Sequence, residues 1–100
     1  MNKDQLKKNV GSCVRLDPPV RRTDGSEADY DWVIQSADYA GITIRTHTGH
    51  QVILSYDQIK EFREDPLRDT DGVKHGFLHL KVRLHFTAEG SVRVAGPLWK

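Results

Sequence analysis

Cysteine is almost absent from this 100-residue chain. Cys13 stands alone, beside a single methionine. No intramolecular disulfide can form, so the fold must be held by its core, and a reducing, cytoplasmic setting is expected. Charge of one sign is also missing: 15 Lys and Arg face 14 Asp and Glu, a formal net charge of +1. No global field therefore draws the chain to nucleic acid or a membrane surface. The opening "MNKDQLKKNV" lacks the apolar stretch of a signal peptide. No run approaches the ~18 apolar residues of a spanning helix. Glycine-rich phosphate loops, paired carboxylates at a distinctive spacing and Cys-X-X-Cys motifs are all missing, which leaves no catalytic motif and no cofactor expected.

What the sequence does hold is alternation. In "HGFLHLKVRLHF" (75–86) Leu78, Leu80, Val82, Leu84 and Phe86 fall on one parity, and His79, Lys81, Arg83 and His85 lie between them. A period of two is that of a half-buried strand. Five more stretches read similarly. "VGSCVRL" (10–16) puts Val10, Val14 and Leu16 in phase, and Pro18-Pro19 stop it because proline cannot continue a ladder. "YDWVIQSA" (30–37), "ITIRTH" (42–47) and "HQVILSY" (50–56) form a meander whose short turns predict antiparallel pairing. "SVRVA" (91–95) closes the series before Gly96-Pro97.

Two segments carry a helical signature. Residues 1–9 place Leu6 and Val10 at i, i+4. "DQIKEFRED" puts Ile59 and Phe62 at i, i+3 after Asp57, predicting a helical turn over about 57–63. Residues 17–31 read as a long polar loop and 66–76 as another. Residues 97–100 read as a tail with an apolar tip. A single domain over 1–100 is expected, mainly β: a small antiparallel barrel or rolled sheet with a short N-terminal helix and one helical turn. The expected core is Val14, Leu16, Trp32, Ile34, Ile42, Ile44, Val52, Leu54, Ile59, Phe62, Leu78, Leu80, Val82, Leu84, Val92 and Val94.

This order of parts, from "VGSCVRLDPP" through the 31–59 meander to "GFLHLKVRLHF" and "SVRVAG", resembles an SH3-like small β-barrel. In style it is also similar to small bacterial proteins of unknown activity, including products of mobile gene cassettes. The resemblance implies a module that binds peptides, nucleic acid or other proteins and does not catalyse. Trp32 shares the phase of core residues, so the aromatic groove that grips polyproline in signalling members is not expected here.

Candidate sites follow from the charge layout. The cations inside the strands are Arg15, Arg45, Lys81, Arg83 and Arg93, and the acids fall in loops and in the helical turn. A basic strand face of Arg45, His47, His79, Lys81, Arg83 and Arg93 is thus a candidate polyanion surface, because neutralised phosphates release counterions. Phe77, Leu98 and Trp99 are candidate interaction residues, for a protein partner or a second copy of the chain. Protein–protein interaction is the leading expectation and nucleic-acid binding the alternative. His47, His50 and His79 are the histidines that could come near one another as metal ligands. Two-residue strand steps of about 6–7 Å keep His79 and His85 from sharing an ion, and no metal is expected. Asp69 and Asp71 read as turn residues, and Cys13 as an inert strand thiol.

Overall fold

The architecture comes from a computed structural model that describes residues 3–97. Helix α1 (Lys3–Lys8) is followed by ten strands: β1 Cys13–Asp17, β2 Val20–Arg22, β3 Glu27–Ala28, β4 Asp31–Ala37, β5 Gly41–Thr46, β6 Gln51–Ser55, β7 Ile59–Glu64, β8 His75–Leu80, β9 Val82–Phe86 and β10 Val92–Pro97. They make two mixed sheets. The six-stranded sheet runs β6-β5-β4-β1-β8-β7 and the four-stranded sheet β10-β9-β2-β3.

The meander forms as its alternation predicts. Trp32 and Ile34 of β4, Ile42 and Ile44 of β5, and Val52 and Leu54 of β6 all point into the core. Ile34 faces Ile44, which faces Val52. The β4–β5 turn is held by the Asp38 carboxylate, whose Oδ1 accepts the amides of Ala40 and Gly41 at 2.8 and 3.1 Å. Gly41 has no alternative: a Cβ there would strike the carbonyl of Leu54. In α1, Leu6 is wholly buried, while Asn9 donates from its amide to the Gln5 carbonyl at 2.7 Å and so satisfies a helix C-terminal acceptor.

The expectation of antiparallel pairing throughout fails at two places. β1 pairs with β8 in parallel, and β2 pairs with β9 in parallel. The segments 13–22 and 75–86 thus run side by side through both sheets, turning at Pro18-Pro19 on one and Lys81 on the other. Between Asp17 opposite His79 and Arg21 opposite His85 lie four residue steps on the first segment and six on the second. That difference bends the pair into a corner. Leu16, Val20, Leu80 and Val82 remain buried on both sides of it. Two sheets joined at this corner, and no closed barrel, are what the described strands form.

Three local expectations also change. The polar stretch 17–31 contains the β2–β3 hairpin, with Val20 opposite Ala28 and both buried. The run expected as a single strand over 77–86 is two, β8 and β9, broken at Lys81. The helical turn expected over 57–63 is a 3-10 turn at Tyr56–Gln58 followed by strand β7. Ile59 and Phe62 do both face inward, but a bulge between Ile59 and Glu61 supplies the extra residue that gives them a helix-like spacing. Leu6, Val20, Ala28 and Tyr56 join the expected core, and Val92 and Val94 pack against it half-buried. No helix among the described residues is long and apolar enough to cross a membrane.

Two outcomes follow for stability. Leu84→Ala, at a fully buried position, should cost about 2–5 kcal/mol in urea unfolding. Ile53→Thr, at a position 73% exposed, should stay within ~0.5 kcal/mol. Tyr56 gives a pH test. Its hydroxyl donates to the Asp38 carbonyl, and burial, then the charges of Asp38 and Asp4, raise its pKa. The folded state therefore favours the neutral phenol. Its contribution is complete below the unfolded tyrosine value of ~10 and fades as pH rises through the higher folded value. Wild type should lose stability in that alkaline window, and Tyr56→Phe should lack the same dependence.

Candidate functional site

Where β1 leaves the six-stranded sheet at Asp17, the corner opens a cleft of about 520 Å³. Parallel pairing sets its walls, because register partners on neighbouring strands project to one face. Arg15 lies opposite Phe77, and Asp17 opposite His79. On the far side β7 places Arg63 opposite Phe77. Phe77 thus stands on the outer face between two arginines, half-buried. Pro19, Glu27 and Asp29 complete the rim.

The charges around the cleft are paired. Arg15 reaches Asp29 at 3.2 Å and Asp31 at 3.3 Å. Arg68 meets Asp31 at 3.5 Å, and Arg83 meets Glu27 at 3.5 Å. His79 Nδ1 lies 2.8 Å from Asp17 Oδ2. The carboxylates of these pairs are more than half exposed, so each pair stabilises the fold by no more than about 1 kcal/mol. Their consequence is local neutrality. The loop acids of the sequence fold back onto the strand cations.

The six residues expected to form a polyanion surface are divided by the fold. Arg45 is exposed on β5, with neutral neighbours Val33 and Gln51 in register. His47 lies in the exposed turn beyond it. His79 is three strands away on β8, about 15 Å at ordinary strand spacing. Lys81 is exposed at the bend. Arg83 and Arg93 belong to the four-stranded sheet, where Arg93 stands opposite His85. Of the expected interaction residues, Phe77 lies in the cleft, whereas Leu98 and Trp99 fall outside the described residues.

The candidate histidine ligands are not gathered. His50 packs edge-on against Phe86 at 4.8 Å, and His79 is held by Asp17. No group of three or more His, Cys, Asp or Glu suited to a metal occurs among the described residues. Cys13 and His75 are register neighbours, and no hydrogen bond joins them. Sequence reasoning missed Asp17, Glu27 and Asp29 as site residues because it assigned them to a loop. The Pro18-Pro19 break was the one available signal that the chain turns a corner there.

The β2–β3 turn beside the cleft carries a measurable electrostatic mark. Asp24 Oδ1 accepts the Ser26 hydroxyl at 2.6 Å and the Ser26 amide at 2.8 Å. These bonds, led by the hydroxyl, hold its pKa below the usual aspartate value, with a smaller contribution from Arg22. A depressed carboxylate stabilises above its unfolded pKa and ceases to as pH falls through the folded one. Carboxyl ¹³C NMR should find Asp24 titrating below ~3.9, and Ser26→Ala should move it upward.

No protein-family model, no curated protein and no solved structure matches this chain.

Proposed function

We propose that the chain is a non-catalytic binding module that takes a short peptide segment of a protein partner in the corner cleft. One observation carries the reading: a half-exposed aromatic, Phe77, set between Arg15 and Arg63 in an open cleft with a mixed-charge rim. An aromatic anchor flanked by arginine is the composition of interface hot spots. The cleft has the size of sites that bury a small ligand or a few side chains. Its carboxylates Asp17, Glu27 and Asp29, its Arg15 guanidinium and its His79 imidazole suit polar backbone and side-chain groups around one apolar anchor.

The SH3-like layout belongs to the same proposal, since modules of that kind bind far more often than they catalyse. A cytoplasmic setting is proposed with it, on the free thiol of Cys13. The alternative, an extended nucleic-acid surface, has less support. Its cations are spread over two sheets, and Arg83 and His79 are occupied by acids.

The test is selection of peptides from a random displayed library, followed by ¹⁵N-NMR mapping on the purified chain. Selected peptides should shift Arg15, Phe77 and His79, and Phe77→Ala should weaken binding about tenfold or more. Peptides that map elsewhere, or that bind Phe77→Ala equally well, would remove the cleft from the reading. So would a selection that enriches nothing. A library peptide copying a segment of this chain would identify the partner as a second copy.

A further inference from the structure

The outer face of the four-stranded sheet differs from the cleft. Three adjacent strands carry Arg21, His85 and Arg93 in one register row: β2 pairs Arg21 with His85, and β9 pairs His85 with Arg93. The row faces away from the core, because Val20, Ala28 and Leu84 are buried on the other side and Val92 and Val94 pack against them. Neighbouring side chains on one face stand roughly 5 Å apart at Cβ. Two arginines flanking a histidine can therefore lean together over it.

We propose that this row binds one phosphomonoester group, with Arg21 and Arg93 as the two guanidinium arms and His85 between them. Three observations support it. Neither Arg21 nor Arg93 has a carboxylate partner among the described residues. The acid nearest Arg21 in register, Glu27, is taken by Arg83 at 3.5 Å. Finally, Arg21 Nε is buried and has no hydrogen-bond acceptor. An arginine with an unmet donor and no paired carboxylate gains more from an anion bound to its guanidinium than one already satisfied. Beside the row lies a depression of about 250 Å³, lined by Thr23, Thr87, Glu89 and Arg93 among others. It is room for a small organic portion attached to the phosphate.

Glu27 stands at the β3 end of the row, opposite Arg21, and Glu89 lies in the β9–β10 turn, lining the depression beside it. A continuous phosphodiester backbone running along the row would pass Glu27 at its end, whereas a single phosphate between Arg21 and Arg93 would not. The row thus suits a terminal phosphate and opposes a long polyanion. Arginine's planar fork matches phosphate oxygens two at a time, which lysine cannot do.

The experiment is an NMR titration with inorganic phosphate at constant ionic strength, with chloride as the control. Saturable shifts are expected at Arg21, His85 and Arg93. Arg93→Gln, at an exposed position, should weaken binding at least fivefold, and Arg21→Gln should do the same if circular dichroism finds it folded. Arg45→Gln and Phe77→Ala should leave it unchanged, which separates this site from the peptide cleft. A second arm compares a thymidine oligonucleotide with and without a 5′-phosphate. The phosphorylated form should bind more tightly at the row. Equal binding of both forms, unsaturable shifts spread over the surface, or an unaltered Arg93→Gln would each overturn the proposal.

Discussion

The parallel pairing of residues 13–22 with 75–86 is the constraint on which everything else rests. It joins the two sheets, places β1 and β8 in the middle of one, and sets β2 and β9 side by side in the other. It is also a contact between remote parts of the chain, with Asp17 and His79 62 residues apart in sequence. Such a contact rewards folding only after a long loop has closed. The local meander β4–β5–β6 needs no such closure, since its turns are tight. The molecule therefore combines a cheap local unit with an expensive corner, and the candidate peptide site lies at the corner. A cleft opens there because the paired segments change direction while both keep Leu16, Val20, Leu80 and Val82 in the core.

Electrostatics decides what each outer face offers. A chain with almost equal numbers of acids and bases has no net field to speak of, so local pairing matters more than totals. On the six-stranded sheet Arg15 is neutralised by Asp29 and Asp31, and His79 is held by Asp17. That face is left with an aromatic as its most distinctive group. On the four-stranded sheet Glu27, the register partner of Arg21, pairs with Arg83, and no carboxylate among the described residues pairs with Arg21. Two faces of one small protein thus present different chemistries from the same composition.

How much of this was legible in the sequence follows from the range of each interaction. The meander and most of the core were readable, because the phase of Trp32, Ile34, Ile42, Ile44, Val52 and Leu54 is a property of neighbouring residues. Parallel pairing was not, since no periodicity records which distant strand lies alongside. The spacing of Ile59 and Phe62 misled because a bulge and a helical turn generate the same i, i+3 pattern. The β2–β3 hairpin hid in a charged stretch whose buried residues are only Val20 and Ala28. For the candidate sites, strand parity alone made His79 and Arg93 legible as part of a basic face and Phe77 as an interaction residue. Arg21 was not, because it lay in the supposed loop, and the acids that neutralise the strand cations were assumed to stay apart from them.

The two unpaired buried donors among the described residues, Trp32 Nε1 and Arg21 Nε, differ in what offsets them. Trp32 Nε1 is unpaired in a residue with no exposure at all. Its indole buries roughly 150–250 Å², worth about 4–6 kcal/mol at ~25 cal/mol per Å². The missing hydrogen bond costs about 1–3 kcal/mol. Burial wins, and the ring belongs to the core, edge-on to Tyr30 at 6.3 Å. Arg21 has no such compensation. The residue is only half-buried on the outer side of a sheet, so less burial is there to offset the missing bond. Its donor thus stays unmet on a residue whose register neighbour Glu27 pairs with Arg83, with a second arginine, Arg93, two strands away in the same row.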